Sequence, residues 1–152
     1  MGVAVLRDLR IDAAYSNATQ KYITWVPRES ANPAQRVDFS GNLIEVAPHT
    51  LANLLVTYSP RILGGGRAAV EWTSVGRYAM NPENTHFYSG YRVANLHFNM
   101  MPRANTELFA RMINITDRKY GEVVNYDAFQ KEQFTPGAPR SVFAGLRYSW
   151  QR

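Results

Sequence analysis

Apolar and polar residues alternate along the chain in stretches of about ten residues, and helical periodicity is hard to find. The clearest stretch covers residues 9–16, where Leu9, Ile11, Ala13 and Tyr15 share one side of an extended chain. The pattern predicts an all-β protein with at least six strands. The other five stretches are residues 50–58, 67–75, 91–100, 107–113 and 141–150.

The predicted strands are joined by short and long connections in strict alternation. Residues 59–66 and 101–106 are short and contain turn-forming residues. Residues 17–48, 76–90 and 114–140 are far longer than the usual hairpin connection of about 2–5 residues. Every second connection of an antiparallel meander leaves the same end of the sheet, so one plain end and one elaborated end are predicted.

This combination is typical of transmembrane β-barrels, whose strands have an apolar outer side and a polar inner side. We therefore predict an antiparallel up-and-down meander of about six strands that is part of a transmembrane β-barrel. A soluble sandwich or lipocalin-like barrel also alternates, but its apolar side would face inward. Aromatic residues near the predicted strand ends fit interfacial girdles, and they are Tyr15, Tyr58, Trp72, Tyr91, Tyr148 and Trp150.

Composition narrows the class of protein further. The 152 residues are enough for one domain, and 45% hydrophobic with 12% aromatic residues indicates a folded chain. Charged or amide residues interrupt every apolar run before the roughly 18 residues of a membrane-spanning helix. The absence of cysteine excludes disulfides, thiolate metal sites and cysteine nucleophiles.

The net charge of +5 comes from 17 Lys and Arg against 12 acidic residues. The basic residues are scattered singly and form no basic helix, so nucleic acid is not an expected partner. The first residues lack the basic start and apolar middle of a signal peptide. If the protein is exported, we expect its targeting signal to lie outside this chain.

Three segments carry a resemblance to a known family. Residues 47–50, Ala-Pro-His-Thr, lead into a strand, and residues 114–120 read Asn-Ile-Thr-Asp-Arg-Lys-Tyr. Residues 137–150 read Gly-Ala-Pro-Arg-Ser-Val-Phe-Ala-Gly-Leu-Arg-Tyr-Ser-Trp. With Gly90-Tyr91 at the start of the fourth strand, this order resembles the end of TonB-dependent outer-membrane receptors. That family imports ferric siderophores, haem, cobalamin and some sugars.

The resemblance implies an orientation and an assembly signal. Gly145, Tyr148 and Trp150 are similar to the terminal signal that the barrel-inserting machinery reads. With Trp150 at the periplasmic rim, the long loops face outside and the short turns face the periplasm. The location implied is the outer membrane of a Gram-negative cell, in contact with its lipid.

The chain also departs from that family. A whole receptor needs a plug domain and about 22 strands, whereas residues 1–152 resemble only the last strands and show no plug. Six strands cannot close a barrel, and hydrocarbon leaves open sheet edges unsatisfied. The expected partners are the remaining barrel strands and a plug domain, in the same or a separate chain. Through the plug, the resemblance also implies the TonB energy-coupling complex.

No enzyme, cofactor or metal site is predicted. His49, His86 and His97 lie in three different elements and have no metal-binding spacing. His49 is predicted to cap a turn. An outer-membrane lipid-modifying enzyme remains a third option, and it would need a Ser or His pair on one rim.

A small-molecule metal chelate is the expected ligand, most simply a ferric siderophore. The alternative function is a truncated barrel remnant, or a soluble β-barrel that binds a small ligand without transport. Cationic and aromatic side chains of the long loops suit anionic or catecholate ligands. The candidate ligand-binding residues are Arg77, Tyr78, Asn84, His86, Tyr88 and Tyr126, with Lys131 beside them. Polar residues predicted on the inner side are expected to pair with one another, and they are Arg10, Asp12, Glu71, Asn95, His97, Arg111 and Arg147.

Overall fold

The computed structural model describes residues 2–28, 32 and 34–150, and within these ranges it describes side chains from Arg7 onward. Its elements are strands joined by loops, with a single turn of 3-10 helix at Arg61–Leu63 among the described residues. In the described part of the chain, no helix has the length and apolar character needed to span a membrane. The strands are β1 (Gly2–Leu6), β2 (Leu9–Asn17), β3 (Thr50–Tyr58), β4 (Arg67–Val75), β5 (Tyr78–Ala79), β6 (Phe87–Tyr88), β7 (Tyr91–Arg103), β8 (Thr106–Ile113), β9 (Gly121–Asp127), β10 (Lys131–Pro136) and β11 (Ser141–Tyr148).

Seven strands form one antiparallel sheet in the order β1-β2-β3-β4-β7-β8-β11. The predicted all-β meander is confirmed, and all six predicted strands occur in it. The observed bounds of β3 and β4 equal the predicted stretches 50–58 and 67–75. The seventh strand, β1, was not predicted because the apolar residues Val3 to Leu6 do not alternate with polar ones.

One connection is shorter than predicted. Strand β7 continues to Arg103 and pairs there with Thr106, so only Ala104 and Asn105 form the turn. The prediction placed the turn at residues 101–106 because Pro102 is unusual inside a strand. The pairing of β7 and β8 is irregular between Met100 and Arg103, which accommodates this proline near the strand end.

The register places most of the apolar residues of strands β2 to β11 of this sheet on one side, although Leu55, Phe109 and Phe143 are among those on the other side. A single row of paired residues crosses these strands, and every member is aliphatic or methionine. The row is Ile11, Val56, Val70, Leu96, Met112 and Val142. Because side chains two residues apart share a face, the neighbouring rows fall on the same side.

This apolar side, which we call the outer side, is exposed. Val70 is 42% exposed, Leu96 38% and Val142 65%. In a soluble barrel such residues would be packed in a dry interior, and a water-exposed sheet face of this size would be unfavourable. The arrangement is that expected of a sheet whose outer side meets hydrocarbon.

The buried cluster of the described residues lies outside the main sheet, within which Ala69 and Val93 are also buried. Tyr78, Met80 and Val124 are buried together in the long connections, and Val46 and Tyr126 are among the residues packed against them. We call the end of the sheet that carries these connections the loop end, and the opposite end the turn end. The small core indicates that the long connections form a packed structure.

At the turn end, residues 59–66 link β3 to β4, and the run Gly64-Gly65-Gly66 forms the tight part of this turn. Gly64 and Gly65 have φ values of 61° and 93°, in the region that favours glycine. A side chain on Gly64 would also overlap the carbonyl oxygen of Met101. The turn therefore packs directly against the end of β7.

Candidate functional site

All three long connections of the sheet emerge at the loop end, as their alternation predicts. They are residues 18–49, 76–90 and 114–140, and the second and third fold into the hairpins β5–β6 and β9–β10. The connections at the turn end are residues 7–8, 59–66 and 104–105. Functional side chains on long loops are therefore concentrated at one end of the molecule.

The β5–β6 hairpin is held between the other two long connections. On one side, the backbone N–H of Val46 donates to the carbonyl of Ala79 at 2.9 Å. On the other side, the N–H of Tyr126 donates to the carbonyl of Met80 at 2.9 Å. Since these bonds come from both neighbours, the three connections form one unit.

Two asparagines fix the tip of this hairpin. Asn81 is buried, and its side-chain oxygen accepts from the N–H groups of Thr85 and His86 at 3.1 Å each. Asn84 accepts from the N–H of Leu43 at 2.7 Å and donates to its carbonyl at 3.0 Å. The φ of 57° at Asn84 is a conformation that asparagine tolerates well. The predicted ligand residue Asn84 thus has its amide committed to the first long connection.

Two of the predicted tyrosines serve as internal supports. Tyr78 is 1% exposed, and its hydroxyl accepts from the N–H of Val124 at 2.8 Å. Burial raises the pKa of Tyr78. The Tyr88 hydroxyl donates to the carbonyl of Gly121 at 3.1 Å. In this arrangement Tyr78 does not reach a ligand, and Tyr88 aligns the two hairpins.

The remaining predicted ligand residues form two contacts nearer the surface. The guanidinium carbon of Arg77 lies 3.9 Å from the ring centre of Phe87. The rings of His86 and Tyr126 are stacked, with centres 3.6 Å apart and planes 9° apart. Arg77 is exposed, and the stacked pair is half-buried, as Asn84 and Tyr88 also are. The side chains of Asn84 and Tyr88 donate to loop carbonyls, whereas those of Arg77, His86 and Tyr126 make no such bond with the described residues. Lys131 is also exposed, with a φ of 64° at the start of β10.

An aromatic cluster in the first long connection was not predicted. Trp25 lies between Tyr22 and Phe39, with ring centres 4.4 Å and 5.0 Å away. The Tyr22 hydroxyl donates to the carboxylate of Glu45. Burial, and then this hydrogen bond, raises the pKa of Tyr22 to about 12. The signal available in the sequence was three aromatic residues in a connection otherwise rich in Pro, Asn and Ser.

Two of the segments that carry the family resemblance contact each other. Asn114 is 1% exposed and donates its amide to the carbonyls of Arg118 at 2.8 Å and Ala138 at 3.0 Å. The N–H of Gly137 donates to the carbonyl of Tyr120 at 2.8 Å, and the Tyr120 ring lies against Gly137 where a side chain would clash. These motifs therefore close the third long connection, which is a structural role.

The histidine-threonine segment has a similar backbone role. The N–H of His49 donates to the carbonyl of Arg77 at 3.1 Å, and the N–H of Gly76 donates to the carbonyl of Thr50 at 2.8 Å. These bonds pair the main chains of two connections, so the segment aligns β3 with the second connection. They do not form the turn cap predicted at His49.

The inner side of the sheet carries the predicted polar pairs. Glu71 accepts from Asn53 and Asn95 at 3.2 Å each and lies 3.7 Å from His97. Glu107 accepts from Arg147 at 2.8 Å. Arg10 pairs with Asp12 at 2.7 Å along one strand. Arg111 is exposed and forms no ion pair with the described residues, so the expected pairing does not extend to it.

The residues of the predicted assembly signal lie on β11 and just beyond it. Gly145 on the inner side leaves room for the ring of Phe109, which a side chain there would overlap. The rings of Tyr148 and Trp150 are 6.0 Å apart, and these residues are 54% and 82% exposed. Tyr91, predicted as a girdle residue, is on the inner side by register and packs against Tyr120 at 4.4 Å.

No group of three His, Asp or Glu side chains that could hold a metal ion occurs among the described residues. Those residues also contain no cysteine.

Comparison with known proteins shows similarity in structure only. No protein-family model matches the sequence. No curated protein matches it either. Among solved structures, the chain is similar to the siderophore receptor PiuA from Acinetobacter baumannii, with a TM-score of 0.75 and 16% identity over 97% of this chain and 20% of that one.

Two further solved structures of receptors are also similar to this chain. The ferric yersiniabactin uptake receptor FyuA from Yersinia pestis has a TM-score of 0.73 and 12% identity over 99% of this chain and 22% of its own. The ferric-catecholate import receptor Fiu from K12 E. coli has a TM-score of 0.64 and 14% identity over 93% of this chain and 19% of its own. The chain thus has the fold of about a fifth of such a receptor, which confirms the predicted resemblance at the level of fold.

Proposed function

We propose that the chain is part of an outer-membrane receptor that takes up a chelated metal, most simply a ferric siderophore. The observation that carries this proposal is the exposed apolar outer side of a sheet whose fold is shared with siderophore receptors. A polar inner side and a packed loop end complete the features of a receptor barrel.

In this proposal, ligand is captured at the loop end by the accessible cation and ring pairs. Arg77 stacked on Phe87 supplies a cation, and His86 stacked on Tyr126 supplies an aromatic surface. An anionic ferric catecholate would be attracted by the guanidinium and would stack on the rings. Tyr78, Asn84 and Tyr88 support these pairs from within the loop end.

Transport would need partners beyond these residues. The proposed partners are further barrel strands, which would pair with β1 and β11, and a plug domain facing the polar inner side. The plug would connect the barrel to the TonB energy-coupling complex. The family resemblance and the shared fold support these partners.

The proposal is tested with the protein in membranes of the cells that produce it. Membrane fractionation is expected to place the chain in the detergent-soluble outer-membrane fraction. A ferric tris-catecholate is expected to quench tryptophan fluorescence saturably, and Arg77→Ala should weaken its binding about tenfold. Arg61→Ala, at the turn end, is the matched control and should bind as the unaltered protein does.

Two outcomes would contradict the proposal. A chain that remains in the supernatant without detergent would support the soluble-barrel alternative. A chain that fractionates with the outer membrane but binds no ferric chelate would support a barrel remnant without transport.

A further inference from the structure

Three arginines line a groove where the loop end meets the sheet. Arg77, Arg92 and Arg118 line it, and none of the other lining residues is acidic. The uncharged polar residues around it include Thr50 and Ser89. We call this the rim groove, and its charge suits an anion.

Position along β7 places the rim groove at the edge of the apolar outer side. On the outer side of β7, Met100, Phe98, Leu96 and Ala94 are apolar, and Arg92 is the first charged residue in the series. A charge on the lipid-facing side of a barrel is tolerated near the interface far better than at the centre of the bilayer. Arg92 therefore lies where headgroups would begin.

The two arginines nearest this edge are available to a ligand. Arg92 and Arg118 are both exposed, and the described part of the chain supplies no ion pair to either side chain. The nearest acid in sequence, Asp117, is paired with Arg140 at 3.2 Å. Arg77 is less free because its guanidinium lies over Phe87.

An apolar groove adjoins the rim groove on the outer side. It shares Arg92 and Arg118 with the rim groove and is otherwise lined by Trp72, Val93, Ala94 and Thr116. Trp72 and Ala94 face each other in the register, one row closer to the centre of the sheet than Ser74 and Arg92. A molecule in both grooves would thus have an anionic head at the arginines and an apolar tail along the sheet.

We propose that Arg92 and Arg118 bind a phosphate group of an anionic membrane lipid whose acyl chain lies over Trp72 and Ala94. This inference rests on the proposed membrane location and assigns the lipid to Arg92 and Arg118, whereas ligand capture is assigned to Arg77 and the stacked pair of His86 and Tyr126. Phosphate suits paired guanidinium groups because it accepts two hydrogen bonds from each. The site would anchor the barrel at a fixed depth and hold residues 114–120 against the sheet.

The test titrates the purified protein, in neutral detergent micelles, with a bisphosphorylated glucosamine lipid by calorimetry. The probes for comparison are the same lipid without its phosphates and inorganic phosphate alone. We expect the phosphorylated lipid to bind and the other two to bind at least tenfold more weakly. The double variant Arg92→Ala, Arg118→Ala should lose about thirtyfold in affinity, the loss expected for two basic residues at an anionic surface.

The matched control is the double variant Arg61→Ala, Arg103→Ala, which removes two exposed arginines at the turn end. It should bind the lipid like the unaltered protein. Far-ultraviolet circular dichroism checks that each variant is folded. The double variant Arg92→Lys, Arg118→Lys provides a milder change and is expected to lose less affinity than the alanine pair.

Three outcomes would overturn the inference while leaving the proposed function intact. They are equal binding of the dephosphorylated lipid, equal binding of inorganic phosphate, and an equal loss in the control and test variants. A protein that does not partition into membranes or detergent at all would overturn the proposed function and this inference together.

Discussion

The side-chain amide of Asn114 donates to the carbonyl of Ala138 at 3.0 Å, so the first residue after β8 holds the segment that leads into β11. The same amide binds Arg118, and its oxygen accepts from the N–H of Arg118 at 3.0 Å. With a φ of 51°, Asn114 also occupies a conformation that few other residues adopt easily.

Asn114→Ala should therefore destabilise the protein by about 2–4 kcal/mol, since buried backbone groups lose partners and the backbone is strained. Urea unfolding in detergent measures the loss. Asn114→Gly should recover part of it by relieving the strain. Asn125→Ala, at a less buried asparagine, is the control and should change stability by less than about 0.5 kcal/mol. Equal stability of the Asn114→Ala and Asn125→Ala variants would refute this role.

The packing of the Phe109 ring against Gly145 can also be tested. A side-chain carbon at Gly145 would lie 2.5 Å from the Phe109 ring, so Gly145→Val should cost about 1–3 kcal/mol. Phe109→Ala should remove most of that cost in the double variant. Ala144→Val, on the outer side, is the control. If the cost of Gly145→Val is the same with and without the Phe109 ring, the packing explanation fails.

The same variants separate packing from the predicted assembly signal. In vitro refolding into micelles needs no assembly machinery, whereas assembly in cells does. If the machinery reads Gly145, the double variant should refold normally in vitro but accumulate poorly in the outer membrane. Normal levels in both settings would leave Gly145 with a packing role alone.

Burial of Tyr22 and its hydrogen bond to Glu45 make the first long connection sensitive to alkaline pH. The pKa of Tyr22 is raised above its ordinary value of 10.0 to about 12, so the folded loop favours the neutral phenol. The contribution to stability is complete below about pH 10 and is lost as the pH rises through about 12. Hydrogen exchange at the N–H of Gly41, which donates to the carbonyl of Tyr22, should accelerate over that interval by more than hydroxide catalysis alone produces at an unprotected amide.

Variants of Tyr22 and Glu45 test whether their hydrogen bond contributes to the raised pKa of Tyr22. Glu45→Gln should lower the pKa of Tyr22, as followed by ultraviolet absorbance, and Tyr22→Phe should remove that titration step. Glu132→Gln, at an exposed position of β10, is the control and should leave the titration unchanged. A Tyr22 titration that is identical in the Glu45→Gln variant would exclude the hydrogen bond as a cause.

A charged substitution on the outer side tests whether that side contacts lipid. Leu96 lies in the central apolar row, and Leu96→Arg should cost about 2–4 kcal/mol when the protein folds into lipid vesicles. Thr57→Arg places the same charge on the inner side and should cost much less. In a water-exposed sheet, the two variants would have similar effects because Leu96 is already 38% exposed. Similar costs would therefore contradict a membrane location.

The sheet was predictable because its determinants are local. Each of the six stretches alternates with a period of two, and this period alone orients residues such as Leu54 and Leu146 to one side. The sequence did not predict β1, whose apolar residues are continuous. It also did not predict that β7 would pass through Pro102, because a bulge compensates there.

The loop end was less predictable because its contacts join distant segments. Residue type correctly suggested that Arg77, His86 and Tyr126 are accessible side chains of the loop end. It suggested the same for Tyr78, whose hydroxyl is buried against a residue 46 positions away. No periodicity links these positions. The cluster around Trp25 was missed for the same reason.

The directions of the two edge strands limit how the sheet can be completed. Neighbouring strands alternate in direction, so β1 and β11, the first and seventh in the sheet, point the same way. Two copies inserted with the same orientation would meet along a parallel seam. Closure by antiparallel pairing alone requires an odd number of additional strands, beginning and ending with strands that point the opposite way. The strand directions alone therefore exclude antiparallel closure by an even number of additional strands.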